Sequence, residues 1–294
     1  MTYDASTIVP ISGGFHVWTR RVGNSKTKML VLHGGPGANH EYMEIFANEL
    51  PEHGIEVHMY DQLGSYYSDQ PNDTNLWNVE RFREEVEEVR KYLGLEQFFL
   101  CGQSWGGMLA IEYALKYQHS LKGLIISNMT ASIPNYVKHI NTLRDQLPTE
   151  LVSTMKRYEA ANQFEDPEYL ALVNEHLYNK HICRLNPWPE AVVRGFAHIN
   201  PAVYNTMQGP NEFIVTGTFK DWDRWSDLHQ IKVPTLLVVG RHDSMAVEDI
   251  EEMGHRIPDS RVHICENGSH LSMWDDTESY FGSIRQFVTD VNRK

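Results

Sequence analysis

The segment Phe98-Phe-Leu-Cys-Gly-Gln-Ser-Trp-Gly-Gly107 places a serine between two glycines directly after a short apolar run. The apolar run is typical of a buried strand, and the sequence from Trp105 to Tyr117 has the pattern of a helix. Glycines allow a sharp turn between strand and helix, and the G-x-S-x-G spacing leaves the serine exposed on that strained turn. We therefore predict that Ser104 is a nucleophile; an ordinary Ser-Gly turn is the alternative.

Short apolar runs alternate with amphipathic stretches on both sides of this segment. The runs predict strands at 29–32, 55–60, 98–101, 124–126, 234–239 and 261–265, and the amphipathic stretches predict helices at 41–50, 79–93, 105–117, 247–256 and 280–291. The first 25 residues read as a hairpin punctuated by Gly13 and Gly14. This alternation predicts an α/β fold, with a mostly parallel, doubly wound sheet covered by helices on both faces.

The pattern changes between residues 131 and 227, which are helical in periodicity, rich in aromatics and interrupted by prolines. The one possible strand there is Phe213-Ile-Val215. We expect a core formed by residues 1–130 and 228–294, with residues 131–227 inserted as a helical cap. Ligands of open α/β sheets bind at the carboxyl ends of the strands, so the cap is expected to cover the site.

A glycine-rich loop, His33-Gly-Gly-Pro-Gly37, follows the strand at 29–32. In a fold with a G-x-S-x-G turn, this loop supplies one N–H to an oxyanion hole, and the residue after the nucleophile supplies the other. The predicted donors are Gly35 and Trp105. We expect His33 to order this loop rather than to act as a base.

A serine nucleophile needs a base, and the chain contains 15 histidines. The order of such triads along the chain is serine, acid, histidine. Asp243 and His270 each follow a predicted strand, at the sheet edge where the site is expected. We predict that His270 is the base and Asp243 orients it. The weaker competitors are His242, His255 and His263 for the base and Asp249 and Asp259 for the acid.

Composition narrows the class of protein and its partners. Hydrophobic residues make up 41% and charged residues 22% of the chain, values of a globular protein. The net charge of −13 disfavours nucleic acid as a partner and mildly favours a cationic substrate. No apolar stretch predicts a membrane helix, and no basic and apolar leader is seen. Three scattered cysteines argue against a disulfide framework and favour the cytoplasm; no zinc spacing or cofactor motif is evident.

Taken together, His33–Gly37, Tyr60-Asp-Gln62, the GQSWGG segment, Asp243 and His270 resemble the proline iminopeptidase branch of the α/β-hydrolases. The resemblance extends over nearly the whole chain and is close to the archaeal members associated with the tricorn protease. It implies an α/β-hydrolase fold and a serine aminopeptidase without a metal or organic cofactor. In the cap, Gly209-Pro-Asn-Glu-Phe213 resembles the same family.

The resemblance also implies how the substrate is bound. Glu212 matches the family glutamate that binds the free α-amine of the substrate, although a surface carboxylate is the alternative. Tyr204 falls at a family-like position, where it either lines the pocket or packs against it. Related enzymes often carry a second acidic residue directly after the acid of the triad. Here that position is Ser244, and Glu248 is a possible replacement.

Three functions remain open at this point. The first is release of an amino-terminal residue, preferably proline, from short peptides or amino-acid amides. The second is hydrolysis of another small ester or amide, since one triad supports many acyl transfers. The third is a non-catalytic protein built on this fold, which an intact set of Ser104, Asp243 and His270 disfavours.

Overall fold

The computed structural model describes residues 3–293, so residues 1, 2 and 294 of the predicted core lie outside it. Within these residues, eight strands form one sheet in the order β1-β2-β4-β3-β5-β6-β7-β8. The strands are β1 (Asp4–Ile11), β2 (Phe15–Val22), β3 (Thr27–Leu32), β4 (Ile55–Tyr60), β5 (Phe98–Gln103), β6 (Leu121–Ser127), β7 (Thr235–Gly240) and β8 (Ser260–Cys265). β1 and β2 form an antiparallel hairpin, β2 pairs antiparallel with β4, and the remaining neighbours are parallel. The predicted α/β class and mostly parallel sheet are confirmed.

Helices connect the parallel strands and cover the sheet. They are α1 (Ile45–Glu49), α2 (Val79–Tyr92), α3 (Trp105–Tyr117), α4 (Ile133–Asp145), α5 (Thr149–Ala160), α6 (Pro167–Val173), α7 (Asn179–His181), α8 (Glu190–Ala197), α9 (Pro201–Met207), α10 (Val247–Arg256), α11 (Ser272–Asp275) and α12 (Thr277–Arg293). β3, β5, β6 and β7 are buried almost throughout, as expected for strands covered on both faces. Over residues 3–293, none of the helices combines the length and apolar character needed to cross a bilayer.

Two predicted elements differ from the structure. The helix predicted at 41–50 is a 3-10 turn, Glu41–Met43, followed by the short α1. All three residues of the turn are buried, so no single amphipathic face determines their backbone. The possible strand at 213–215 is not a strand. Phe213 packs instead against the Tyr178 ring, with centroids 5.9 Å apart, so this side chain is buried without a sheet.

Helices α4 to α9 all lie between β6 and β7 in the sequence. Prolines mark the starts of four of these helices, since Pro148 and Pro189 are the N-cap residues of α5 and α8, and Pro167 and Pro201 stand in the first turns of α6 and α9. Proline suits a helix start because its missing N–H would have no intrahelical acceptor there. The assignment of residues 131–227 to a separate cap domain stays a prediction.

Five consecutive parallel strands place the candidate site. β3, β5, β6, β7 and β8 are neighbours in that order, so their carboxyl ends lie along one edge of the sheet. The residues that follow these strands include Gly35, Ser104, Asn128, Asp243 and His270, respectively. Residues far apart in the sequence therefore converge at one edge, as parallel α/β sheets arrange their ligand sites.

Candidate active site

The turn between β5 and α3 holds Ser104 in a strained backbone conformation, with φ 56° and ψ −126°. The flanking glycines make this turn possible. A Cβ added at Gly102 would lie 1.9 Å from the Gly106 carbonyl oxygen, and one added at Gly106 would lie 2.2 Å from the Leu32 carbonyl oxygen. Only glycine fits at either position, so the G-x-S-x-G spacing is a steric requirement of this turn.

Two backbone N–H groups flank Ser104. Gly35 has φ 108°, and a Cβ there would lie 2.6 Å from the Ala38 nitrogen, so the loop requires glycine. Among residues 3–293, no hydrogen-bond acceptor is found for the Gly35 N–H. Trp105 begins α3, where an N–H has no intrahelical acceptor. Gly35, Ser104 and Trp105 line one small cavity, so the two residues that carry these N–H groups border the same space as the serine.

Hydrogen bonds of the buried His33 imidazole order the glycine-rich loop. Its Nδ1 donates to the Gly34 carbonyl at 2.9 Å, and its Nε2 accepts from the Gln62 N–H at 3.0 Å. Burial lowers the pKa of His33 to about 4, because the charged form would lose its hydration. A neutral imidazole with both nitrogens engaged fits the predicted role of ordering the loop.

A second chain of hydrogen bonds joins this loop to the loop that carries His270. The Gly34 N–H donates to Tyr42 Oη at 2.5 Å, and Tyr42 Oη donates to Gln103 Oε1 at 2.8 Å. Gln103 Nε2 then donates to the His270 carbonyl at 3.0 Å. Tyr42 and Gln103 were not singled out in the sequence, because their contribution depends on partners that are distant along the chain.

Asp243 and His270 form a buried pair. The Nδ1 of His270 donates to Asp243 Oδ1 at 2.8 Å, which directs Nε2 away from the acid. The Met245 N–H also donates to Oδ1, at 3.0 Å. Burial by itself lowers the pKa of His270, but the Asp243 charge and hydrogen bond outweigh burial, so the net shift is upward. His270 and Ser104 line the same cavity.

Asn128, which follows β6, donates a hydrogen bond to the other carboxylate oxygen of Asp243. This residue is not identified from the sequence. Its Nδ2 donates to Asp243 Oδ2 at 2.7 Å and to the Ser269 carbonyl at 3.0 Å, so it ties the acid to the His270 loop. Its backbone has φ 53°, a left-handed conformation that asparagine tolerates better than most residues. The segment Ser127-Asn-Met129 reads only as a turn, so its partner could not be identified from the sequence.

The competing residues lie elsewhere. Two of them have hydrogen-bond partners outside the site: His263 Nε2 contacts Ser279 Oγ at 2.9 Å, and Asp249 accepts from Thr130 and Asn135. The exposed His255 lines an open surface groove. Asp259 precedes β8 and so lies at the opposite end of that strand from His270. His242 and the exposed Glu248 line a separate cleft that does not include Ser104.

Glu212 follows α9 and contacts three tyrosine hydroxyls. Tyr204 donates to Glu212 Oε1 at 2.5 Å, Tyr136 donates to the Glu212 carbonyl at 2.5 Å, and the Glu212 N–H donates to Tyr178 at 3.2 Å. Burial raises the pKa of Glu212, because the carboxylate is largely removed from water. Tyr204 therefore contacts the site through its hydrogen bond to Glu212 and is not among the residues that line the cavities beside Ser104.

Two cavities meet at Ser104, Gly35 and Glu212, which line both. The larger, with about 390 Å³ of empty volume, also contacts His270. The smaller, with about 250 Å³, is walled by Trp105 and Phe219, whose rings stack 5.8 Å apart. Among residues 3–293, no group of three or more His, Cys, Asp or Glu side chains is placed to hold a metal ion.

Comparisons with known proteins extend over nearly the whole chain. The family model of the alpha/beta hydrolase fold matches residues 28–277. A proline iminopeptidase of Flavobacterium johnsoniae is 45% identical over 292 residues, covering 97% of this chain and 98% of that protein. The crystal structure of VinJ superposes with a TM-score of 0.94 at 34% identity, covering 98% of this chain and 99% of VinJ. A proline iminopeptidase structure from Mycobacterium smegmatis gives 0.90 at 33% identity, covering 98% of both chains.

Proposed function

Because the chain belongs to the proline iminopeptidase family of the α/β-hydrolase fold, we propose that it is a serine aminopeptidase. It releases an amino-terminal residue, preferably proline, from short peptides or amino-acid amides. The observation that carries this proposal is the meeting of Ser104, Gly35 and Glu212 around one point, with His270 beside them. A nucleophile, an oxyanion site and an anchor for an amine then border the same cavities.

In the first half of the reaction, Ser104 Oγ attacks the carbonyl carbon of the amino-terminal residue, and its proton passes to His270 Nε2. The imidazolium that forms is stabilised by the Asp243 carboxylate, which accepts from Nδ1. The carbonyl oxygen becomes an oxyanion and accepts from the N–H groups of Gly35 and Trp105. One such donor contributes about 3–4 kcal/mol in a serine protease.

In the second half, His270 donates the same proton to the nitrogen of the scissile bond, which breaks and releases the shortened peptide or amine. A water molecule then attacks the acyl-enzyme carbonyl while His270 Nε2 accepts its proton. The proton returns to Ser104 Oγ as the ester breaks, and the free amino acid leaves. Every proton transferred and every bond formed or broken in these two half-reactions is accounted for without a metal or an organic cofactor.

Glu212 supplies the selection for a free amino terminus. A substrate ammonium beside this carboxylate forms a charge-assisted pair, which favours the ionised form of Glu212 despite its burial. Tyr204 keeps the carboxylate oriented through its hydrogen bond to Oε1. The three cysteines are free and buried, which suits a reducing compartment, and we place the enzyme in the cytoplasm.

The test compares kcat/KM for proline p-nitroanilide, alanine p-nitroanilide and N-acetyl-proline p-nitroanilide, with a fluorophosphonate probe to label the nucleophile. We expect preference for free proline and labelling that is lost in Ser104→Ala. Equal or faster hydrolysis of the acetylated compound would refute the aminopeptidase and favour a general amidase or esterase. Absence of labelling in the unmodified protein would refute the proposed nucleophile.

A further inference from the structure

The two cavities beside Ser104 are not equivalent. Both contact Ser104 and Glu212, but His270 lines only the larger one, and Trp105 lines only the smaller one. In the proposed reaction, His270 must reach the leaving nitrogen in order to protonate it. The leaving group therefore belongs in the larger cavity, and the acyl residue, held by its amine and its oxyanion, belongs in the smaller one.

Much of the lining of the larger cavity is apolar. Ile182, Phe196, Ile199 and Leu271 contribute side chains there. Of the residues described, those lining this cavity include no lysine or arginine, and its carboxylate is Glu212. A carboxylate entering this space would be removed from water beside the Glu212 carboxylate, with no lysine or arginine among the described lining residues to pair with it, which is unfavourable. An apolar side chain would instead be removed from water against apolar walls.

Contacts with residues 41 and 44 hold the helix that carries Phe196. Phe196 lies on α8, and Arg194 on the same helix donates to Glu41 Oε1 at 3.0 Å and to Glu44 Oε2 at 3.0 Å. His198 Nδ1 contacts Glu41 Oε2 at 2.5 Å. The Phe196 ring also packs edge-on against Trp188, with centroids 5.3 Å apart. These contacts fix the position of Phe196 beside the cavity.

We propose that the larger cavity is a leaving-group subsite that selects an uncharged, apolar residue directly after the scissile bond and disfavours a free carboxylate there. Phe196 and Ile199 are its specificity-determining residues. The proposal rests on the aminopeptidase function, and it deepens that function by naming the substrate class. Peptides whose second residue is apolar and followed by a further amide are preferred over dipeptides, whose carboxylate would enter the cavity.

The experiment measures kcat/KM for four substrates that share an amino-terminal proline: Pro-Leu-NH2, Pro-Gly-NH2, Pro-Asp-NH2 and the dipeptide Pro-Leu. We expect Pro-Leu-NH2 to exceed Pro-Gly-NH2 by about tenfold or more, as for other apolar subsites. We expect Pro-Asp-NH2 and Pro-Leu to be slower than Pro-Leu-NH2 by at least about tenfold. Proline p-nitroanilide reports separately on the aminopeptidase function.

Two variants test the assigned wall. Phe196→Ala is expected to reduce the preference for leucine over glycine by about threefold or more, because it removes apolar surface from the cavity. Ile199→Lys is expected to raise the rate on Pro-Leu relative to Pro-Leu-NH2, because it supplies the missing cation. Val193→Ala, on the exposed face of the same helix, is the matched control and should leave both ratios unchanged.

The outcomes separate the two proposals. Equal rates on the four substrates, or faster cleavage before aspartate, would overturn the leaving-group subsite while proline p-nitroanilide was still hydrolysed. Variants at Phe196 and Ile199 that leave both ratios unchanged would overturn the assignment of the wall. Failure to hydrolyse any of the proline substrates would refute the aminopeptidase function itself.

Discussion

Removal of the Asn128 amide is expected to slow the enzyme, although this side chain lines neither cavity beside Ser104. Asn128 Nδ2 donates to Asp243 Oδ2 at 2.7 Å, a short bond to a buried carboxylate. A hydrogen bond to a charged group contributes about 1.5–3 kcal/mol. If all of it acts in the transition state, kcat/KM falls by roughly 10- to 150-fold.

Three substitutions separate the loss of this bond from other effects. Asn128→Gly removes the amide and accepts the φ of 53° without strain, whereas Asn128→Ala adds about 1–2 kcal/mol of backbone cost. Asn128→Asp keeps the shape but places a second carboxylate against Asp243. Asn135→Ala is the matched control, because Asn135 Nδ2 donates to Asp249 Oδ1 at 3.2 Å, a similar bond outside the site.

The assay is the pH profile of kcat/KM for proline p-nitroanilide, together with thermal unfolding. Without the amide donor, the Asp243 carboxylate interacts more strongly with the imidazolium of His270, so the acid limb should move to higher pH in Asn128→Gly. The reasoning would be refuted if this variant were destabilised while its kcat/KM and acid limb matched those of the unmodified enzyme. Asn128 would then be structural only.

Two further predictions concern charge in the site. Glu212→Gln should lower kcat/KM for proline p-nitroanilide by about 30-fold or more, the effect of breaking a buried ion pair, and leave any activity on N-acetyl-proline p-nitroanilide unchanged. The control is Glu168→Gln, which changes another carboxylate that accepts a hydrogen bond from a tyrosine. Equal losses on both substrates would contradict the role of Glu212 as an amine anchor. His270 must be neutral to accept the serine proton, and the Asp243 charge keeps the pKa of His270 above its ordinary value despite burial. The kcat/KM of the enzyme should therefore fall on the acid side of its pH profile, with a midpoint above 6.5. A midpoint below 6.5 would contradict this interaction.

Local patterns were sufficient for the central sheet and for its serine turn. β4, α3 and α10 begin and end where the sequence predicts, because the apolar pattern that defines each lies within its own segment. The helix predicted at 41–50 was wrong in its first turn, where Glu41 to Met43 are all buried and Glu41 accepts from Arg194, 153 positions away in the chain. Periodicity within one segment carries no information about such partners.

The candidate site likewise contains residues that the sequence predicts and residues that it does not. Ser104, Asp243 and His270 were predicted from a motif, from chain order and from their positions after strands, and their catalytic roles stay predictions. Asn128 had no signal beyond a turn, although its amide joins the acid to a residue 141 positions away in the chain. Gln103 likewise contacts the His270 carbonyl across 167 positions.

The sequence by itself determined the fold class, the strained serine turn and the residues expected to carry the chemistry, because each follows from a local pattern or from the order of residues along the chain. Only the tertiary structure decided that Asn128 holds the acid, that Tyr204 reaches the site through Glu212, and that His270 borders just one of two cavities. These features depend on distances between loops of different strands and on the helices above them. Such distances follow from packing of the whole chain, which local periodicity does not encode.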